Sequence, residues 1–215
     1  MKVYKIEGKY LRENTFFAVK GNDCLVIDPG ADADKITRFC GEKGLVIRAV
    51  LLTHAHLDHI FALPELARKG YPIYLHKEEE NILNGRANLA LAFGISFEKV
   101  DNYNTFEGDR YELSISSFSV EAIFTPGHTA GSVCYYSEGI LFSGDTLFAG
   151  AYGRADLPTG DEQDLLCSLA NELFELPSAT LVYAGHSDRF SVDGECEPDT
   201  MIGVERATNP ILELL

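Results

Sequence analysis

The segment Thr53-His54-Ala55-His56-Leu57-Asp58-His59 gathers three imidazoles and a carboxylate within six positions. Imidazole nitrogen suits zinc and iron, carboxylate oxygen suits harder divalent ions, and the two together form the donor set of a hydrolytic metal centre. Three histidines lie elsewhere: His76, His128 and His186. His128 stands in Thr125-Pro126-Gly127-His128-Thr129, where a turn pair ends the strand-like run Phe118 to Phe124 and brings the imidazole close in. His186 follows Ala184-Gly185 at the end of a short run from Thr180 to Tyr183. Between them, Leu141-Phe142-Ser143-Gly144-Asp145 delivers an aspartate just past a glycine. His76 has no such setting and reads as a surface or internally satisfied histidine.

These side chains need elements that bring them together. The apolar run Leu45 to Leu52, broken only by Arg48, reads as a buried strand; Ile60, Leu63, Leu66 and Ala67 then follow at helical spacing. The first cluster therefore lies on the loop at a strand's carboxyl end, where open sheets place their sites. Residues 16–19 and 24–27 flank Lys20-Gly21-Asn22-Asp23 and read as a hairpin. Further strands are expected from Arg110 to Phe118, Val120 to Phe124, Val133 to Tyr136 and Ile140 to Phe142. A helix carrying Leu165, Leu166, Leu169 and Leu173 starts after a cap at Asp161. Every candidate ligand follows a strand, so the strand ends must meet on one rim. Segment 78–107, apolar but interrupted by Gly85 and Gly94, reads as a covering helix rather than a lid.

His54-x-His56-x-Asp58-His59, His128, Asp145 and His186, in that order and those settings, resemble the metallo-β-lactamase superfamily. The likeness begins at Ile27-Asp28-Pro29-Gly30 and runs through His186. The stretches 125–132, 143–148 and Gly153-Arg154-Ala155-Asp156 are most similar to short hydrolases related to glyoxalase II, the hydroxyacylglutathione hydrolases. Aspartate at position 145 speaks against lactam hydrolysis. The resemblance implies an α/β fold, the four-layered αββα sandwich. It also implies two divalent ions, zinc first and iron or manganese as fitting alternatives: His54, His56 and His128 on one, Asp58, His59 and His186 on the other, and Asp145 between. Asp58 and Asp145 are then the catalytic carboxylates. The two ions share a water, lower its pKa and supply hydroxide for attack on a thioester such as S-lactoylglutathione or a related small ester. Asp28 resembles the family's partner to a metal-binding histidine; Thr53 and Thr129 are candidates for similar support, and Arg154 and Asp156 for a place beside the site. Two other activities fit the same donors. One is a persulfide dioxygenase with a single iron at His54, His128 and Asp145, and the other is a lactonase-type hydrolase.

Composition sets the remaining expectations. A chain of 215 residues, 46% hydrophobic, is long enough for one domain spanning 1–215, without the helical carboxyl-terminal domain of glyoxalase II. With 18 basic against 33 acidic residues, the formal charge is −15, which opposes phosphate neutralisation and hence a nucleic-acid partner. The acidity reads as a solvated surface. No apolar signal core or membrane-length run is present, so a cytoplasmic enzyme acting on a small molecule, away from any membrane, is expected. The five cysteines form no Cys-x-x-Cys pair and read as reduced, mostly buried thiols. A polar loop at 187–197 lies next to His186 and bears on substrate access.

Overall fold

A computed structural model of the protein describes residues 1–187 and 195–214, so most of the polar loop expected at 187–197 lies outside the described residues. One sheet contains β1 (Lys2–Glu7), β2 (Asn14–Lys20), β3 (Asp23–Ile27), β4 (Val46–Leu51), β5 (Ile73–His76) and β6 (Asn104–Phe106), in that spatial order. β1 to β3 pair antiparallel, including the expected hairpin, while β3 to β6 run parallel. The second sheet is built from β7 (Arg110–Ile115), β8 (Phe118–Phe124), β9 (Val133–Ser137), β10 (Ile140–Gly144), β13 (Leu181–Ala184) and β14 (Thr200–Met201), in the order 14-13-10-9-8-7. A small ribbon of β11 (Leu147–Phe148) and β12 (Ala151–Tyr152) follows β10.

Alternation along these strands decides the layering, because successive side chains face opposite sides of a sheet. Phe16 and Ala18, Leu25 and Ile27, and Ala49 and Leu51 face the second sheet, meeting Val120, Ala122, Tyr135 and Phe142. Phe17, Val26 and Val50 face outward onto α1 (Ala33–Glu42) and α3 (Leu63–Arg68), through Ile36, Cys40, Leu63 and Leu66. Ile123, Cys134, Leu141 and Val182 face the other way, onto Leu165, Leu169 and Leu173 and onto Ile202 of α6 (Ile202–Thr208). Three apolar layers between four structural ones make an αββα sandwich. Strands buried on both faces carry the near-continuous apolar runs that made them legible.

Several local expectations are corrected. The helix after the histidine cluster is two pieces, α2 (Leu57–Ile60) and α3, with the break just before the Pro64 that opens α3. Segment 78–107 is no covering helix: α4 (Glu80–Leu83) is one turn long, and short 3₁₀ turns at Arg86–Asn88 and Ala90–Phe93 follow it. Leu89 and Gly94 both sit at positive φ there, which interrupts any continuous helix. The helix capped by Asp161 is α5 (Glu162–Ser168); the Asp161 carboxylate accepts the Asp164 N–H, and the helix widens into a π turn at Leu169–Leu173. His76 is buried, stacked on Phe124 at 4.3 Å between ring centroids and edge-on to Phe106. The free thiols Cys24, Cys40, Cys134 and Cys196 are buried, whereas Cys167 on α5 is exposed. No helix among the described residues is long and apolar enough to cross a membrane.

Hydrogen bonds join the sheets at the rim where the histidines lie, and two of them meet the exit of β4. The Val133 N–H donates to the Thr53 carbonyl at 2.9 Å, and the Tyr135 hydroxyl donates to the Leu52 carbonyl at 2.9 Å. Tyr135→Phe keeps the ring but leaves that buried carbonyl without its donor, at a cost of about 1–2 kcal/mol. For a chain of this size, thermal denaturation should show Tm lowered by roughly 2–8 °C. An unchanged Tm would mean that the bond contributes nothing to joining the sheets.

Candidate metal centre

The expected convergence is present. β4 ends at Leu51, and the chain runs on through Thr53, His54 and His56 before turning into α2, whose first turn carries Asp58 and His59. The β8–β9 connection brings in His128, the end of β10 brings in Asp145, and the end of β13 brings in His186. Donor atoms of His54, His56 and His128 all lie within 4.8 Å of one another, as do those of Asp58, His59 and His186. His56 Nδ1 stands 3.1 Å from His128 Nε2, and His59 Nε2 stands 3.2 Å from His186 Nε2. Asp58 Oδ2 lies 3.3 Å from His186 Nε2 and 3.7 Å from His59 Nε2. Donors placed tetrahedrally at about 2.1 Å from an ion are about 3.4 Å apart, so these separations match a coordination shell.

Asp145 faces both groups. Its Oδ2 lies 3.6 Å from His128 Nε2 and 3.4 Å from His186 Nε2, while Oδ1 lies 3.4 Å from His59 Nε2. Gly185 makes this possible: an added Cβ there would stand 2.3 Å from Asp145 Oδ1 and 2.8 Å from His59 Cε1.

Four of the five histidines have one nitrogen engaged as a donor, which turns the other nitrogen inward. His59 Nδ1 lies 3.0 Å from Asp28 Oδ2, His128 Nδ1 2.7 Å from the Arg154 carbonyl and His186 Nδ1 3.0 Å from the Leu11 carbonyl. The Thr53 hydroxyl donates to Asp28 Oδ2 at 2.6 Å, so it accepts from His54 Nδ1 at 3.1 Å. Asp28 also accepts the Thr53 N–H at 2.7 Å and sits at φ 51°, a strained conformation held by these bonds. The expected roles of Asp28 and Thr53 thus have direct contacts behind them. Arg154 and Asp156 do pair with each other, at 2.6 and 2.7 Å, but on an exposed loop; the atom of residue 154 that reaches the site is its backbone oxygen.

Burial and charge divide the side chains in two. Burial and the neighbouring imidazoles hold His54 well below the ordinary histidine range and push His56 down to about 3. Burial opposes charge on His59 and His186 as well, but Asp145 and Asp58 outweigh it, holding His59 well above its usual range and His186 up at about 10. Burial would likewise raise Asp58 and Asp145, and the adjacent His59 and His186 reverse this. His54 Nε2 and Asp145 Oδ1 are buried without a hydrogen-bond partner among the described residues. Inward lone pairs, orphaned acceptors and tetrahedral spacing fit divalent cations. The cluster opens on one side: His186 and Asp145 are 24% and 13% exposed, against 0% for His59 and 3% for His128. Phe148, 6.3 Å from His186 between ring centroids, stands at that mouth.

Beside the site, two buried carboxylates, Glu79 and Glu13, escaped the sequence reading. Glu79 receives three donors from the loops around His54 and His128, and burial raises it to about 7 despite them. Thr129 therefore supports Glu79 rather than a histidine. Glu13 lies against Gly8 and Gly30 and accepts from the Thr15 hydroxyl at 3.0 Å; burial pushes it well above the carboxylate range. The Cys134 thiol, 3.3 Å from Thr125 Oγ1 and raised to about 12 by burial, is no nucleophile.

Comparison with known proteins agrees with this geometry. Residues 9–186 match the metallo-beta-lactamase superfamily model, and the chain belongs to that superfamily. It is 40% identical to the probable metallo-hydrolase YqgX of Bacillus subtilis, over 94% of this chain and 93% of that one. It is 32% identical to the hydroxyacylglutathione hydrolase GloC of Haemophilus influenzae, over 88% and 87%. Among solved structures it resembles the BLEG-1 B3 metallo-beta-lactamase, with TM-score 0.84, 34% identity and coverage of 98% and 99%. It also resembles TTHA1623 in a di-iron-bound form, with TM-score 0.83, 33% identity and coverage of 96% and 98%. The chain is thus a metallo-hydrolase of this superfamily, whose members use divalent metal ions.

Gly185→Ala tests the packing at the centre of the cluster. Its methyl group must push Asp145 and His59 apart, so metal content after purification, read by plasma mass spectrometry, should fall below half that of the parent while the fold is retained. Full metal content in the variant would show that the Asp145 carboxylate does not have to occupy this position.

Proposed function

We propose that this protein is a dinuclear metal-dependent hydrolase of thioesters such as S-lactoylglutathione or a related small ester. The observation that carries this reading is the position of the Asp145 carboxylate, whose oxygens face His128 on one side and His59 and His186 on the other within 3.4–3.6 Å. In this reading His54, His56 and His128 would hold one cation and Asp58, His59 and His186 a second, with Asp145 available to both. Zinc is the first expectation; iron and manganese accept the same donors, and the structural relative in di-iron form supports iron as a native occupant. The cations supply Lewis acidity and an activated water at neutral pH.

The chain's own groups do the rest. Asp28, Thr53 and the carbonyls of Arg154 and Leu11 fix the imidazole orientations, so the donors need not reorganise during turnover. The exposure of His186 and Asp145 sets the direction of approach, so the scissile carbonyl arrives past Phe148. Among the described residues no buried serine or cysteine is placed as a nucleophile, and a thiolate leaves without help from a strong acid. The likeness to GloC supports a glutathione thioester, and the acidic surface requires that an anionic substrate be caught locally rather than steered. We place the enzyme in the cytoplasm, as a single domain over 1–215 acting without a nucleic-acid or membrane partner.

Metal-loaded protein should cleave S-lactoylglutathione equally well with and without oxygen. Oxygen uptake with glutathione persulfide and no thioester cleavage at any metal loading would replace this reading with a mononuclear iron dioxygenase, and faster opening of a β-lactam or a lactone than of any thioester would replace it with lactam or lactone hydrolysis. Asp145→Ala should lower kcat/KM by at least about 100-fold, because it removes the group common to both cations, while His76→Ala changes it less than about threefold. Similar losses in the two variants would remove Asp145 from its assigned role.

A further inference from the structure

Glu79 is a fully buried carboxylate beside the site that the hydrolytic reading leaves without a task. It ends the short turn Lys77–Glu79 that follows β5, is fully shielded from solvent, and forms hydrogen bonds to none of the seven expected metal ligands. Its Oε2 accepts the Ala55 N–H at 2.7 Å, and its Oε1 accepts the Thr129 hydroxyl at 2.6 Å and the Gly131 N–H at 2.9 Å. Ala55 stands between His54 and His56, whereas Thr129 and Gly131 lie just past His128. These two loops belong to opposite sheets, β4 in one and β8–β9 in the other. The second loop is seated directly on the glutamate, since a Cβ at Gly131 would lie 2.8 Å from Oε1. Glu79 has no such connection to the other half: His59 is oriented by Asp28, and His186 by the Leu11 carbonyl.

We propose that Glu79 is a positioning residue that clamps the His54–His56 loop to the His128 loop and thereby sets cation affinity in that half of the centre alone. The proposal rests on the dinuclear reading above. A carboxylate offers acceptors at both ends and meets donors on both sides. Glutamine fills the same space but presents an NH2 group to one loop, donor against donor. The loops must then separate, and a coordination shell tolerates displacements of only about half an ångström.

The test titrates metal-depleted protein with Co2+, read by its visible absorption, and with Zn2+ against a chromophoric chelator. Wild-type protein should take up two equivalents. Glu79→Gln should keep one equivalent at wild-type affinity and bind the other about 10–100-fold more weakly. The single Co2+ ion retained should give the spectrum of the ion retained by His54→Ala, which loses the same half directly. Thr129→Val removes one donor while leaving the carboxylate, and should produce a smaller loss in the same half. Glu205→Gln is the control: Glu205 is an equally buried carboxylate that accepts from Gly150, Thr200 and Asn209 in the second sheet's outer layer. It should leave both affinities unchanged. Parallel weakening of both equivalents by Glu79→Gln, or no weakening in either variant, would overturn the proposal. Uptake of one equivalent by the wild type would refute the dinuclear reading separately; Glu79 would still be supported if Glu79→Gln weakened that ion, and refuted if it did not.

Discussion

The structure is organised around one carboxylate placed between two groups of imidazoles. Shielding most of the Asp145 carboxylate from water carries a cost that only close positive charge or a cation offsets. His59 and His186 provide the first, and the inward-turned nitrogens of His54 and His128 prepare for the second. Everything nearby serves to hold these groups closer together than they would stay on their own. Five imidazoles and two carboxylates within a few ångströms are a packing liability unless their backbones are rigid.

The sandwich supplies that rigidity through strand ends. β4, β10 and β13 are buried on both faces, so their exits are fixed by apolar packing on each side rather than by the site itself. Hydrogen bonds then refine what packing sets. Asp28 ties Thr53 to His59, and backbone carbonyls from the Leu11 and Arg154 turns hold His186 and His128. Leu11 sits at φ 53° and the next residue, Arg12, at φ 57°, which concentrates backbone strain in the turn whose carbonyl orients the most exposed histidine.

Much of this was legible in the residues. The candidate ligands, their strand-end settings and the layered fold could be read because doubly buried strands leave continuous apolar runs, and histidines after such runs stand out. Asp28 was legible for the same reason. Three features were not. Glu79 belongs to Lys77-Glu78-Glu79-Glu80, which looks like a solvated acidic run, and only the turn after β5 directs one of its carboxylates inward. The carbonyls of Leu11 and Arg154 carry no side-chain signal at all, so the expectation for Arg154 fell on its guanidinium, which is paired with Asp156 in solvent. Segment 78–107 has helix-like composition, but the positive φ at Leu89 and Gly94 and the packing of Leu83 and Val100 beneath it override local propensity.

The central claim is that one aspartate joins two cation sites, each of which takes donors from both sheets. Anomalous diffraction from crystals of metal-loaded protein tests it most directly. The account predicts two anomalous peaks flanking the Asp145 carboxylate, one among His54, His56 and His128 and the other among Asp58, His59 and His186. A single peak confined to one set of histidines, at saturating metal, would contradict it.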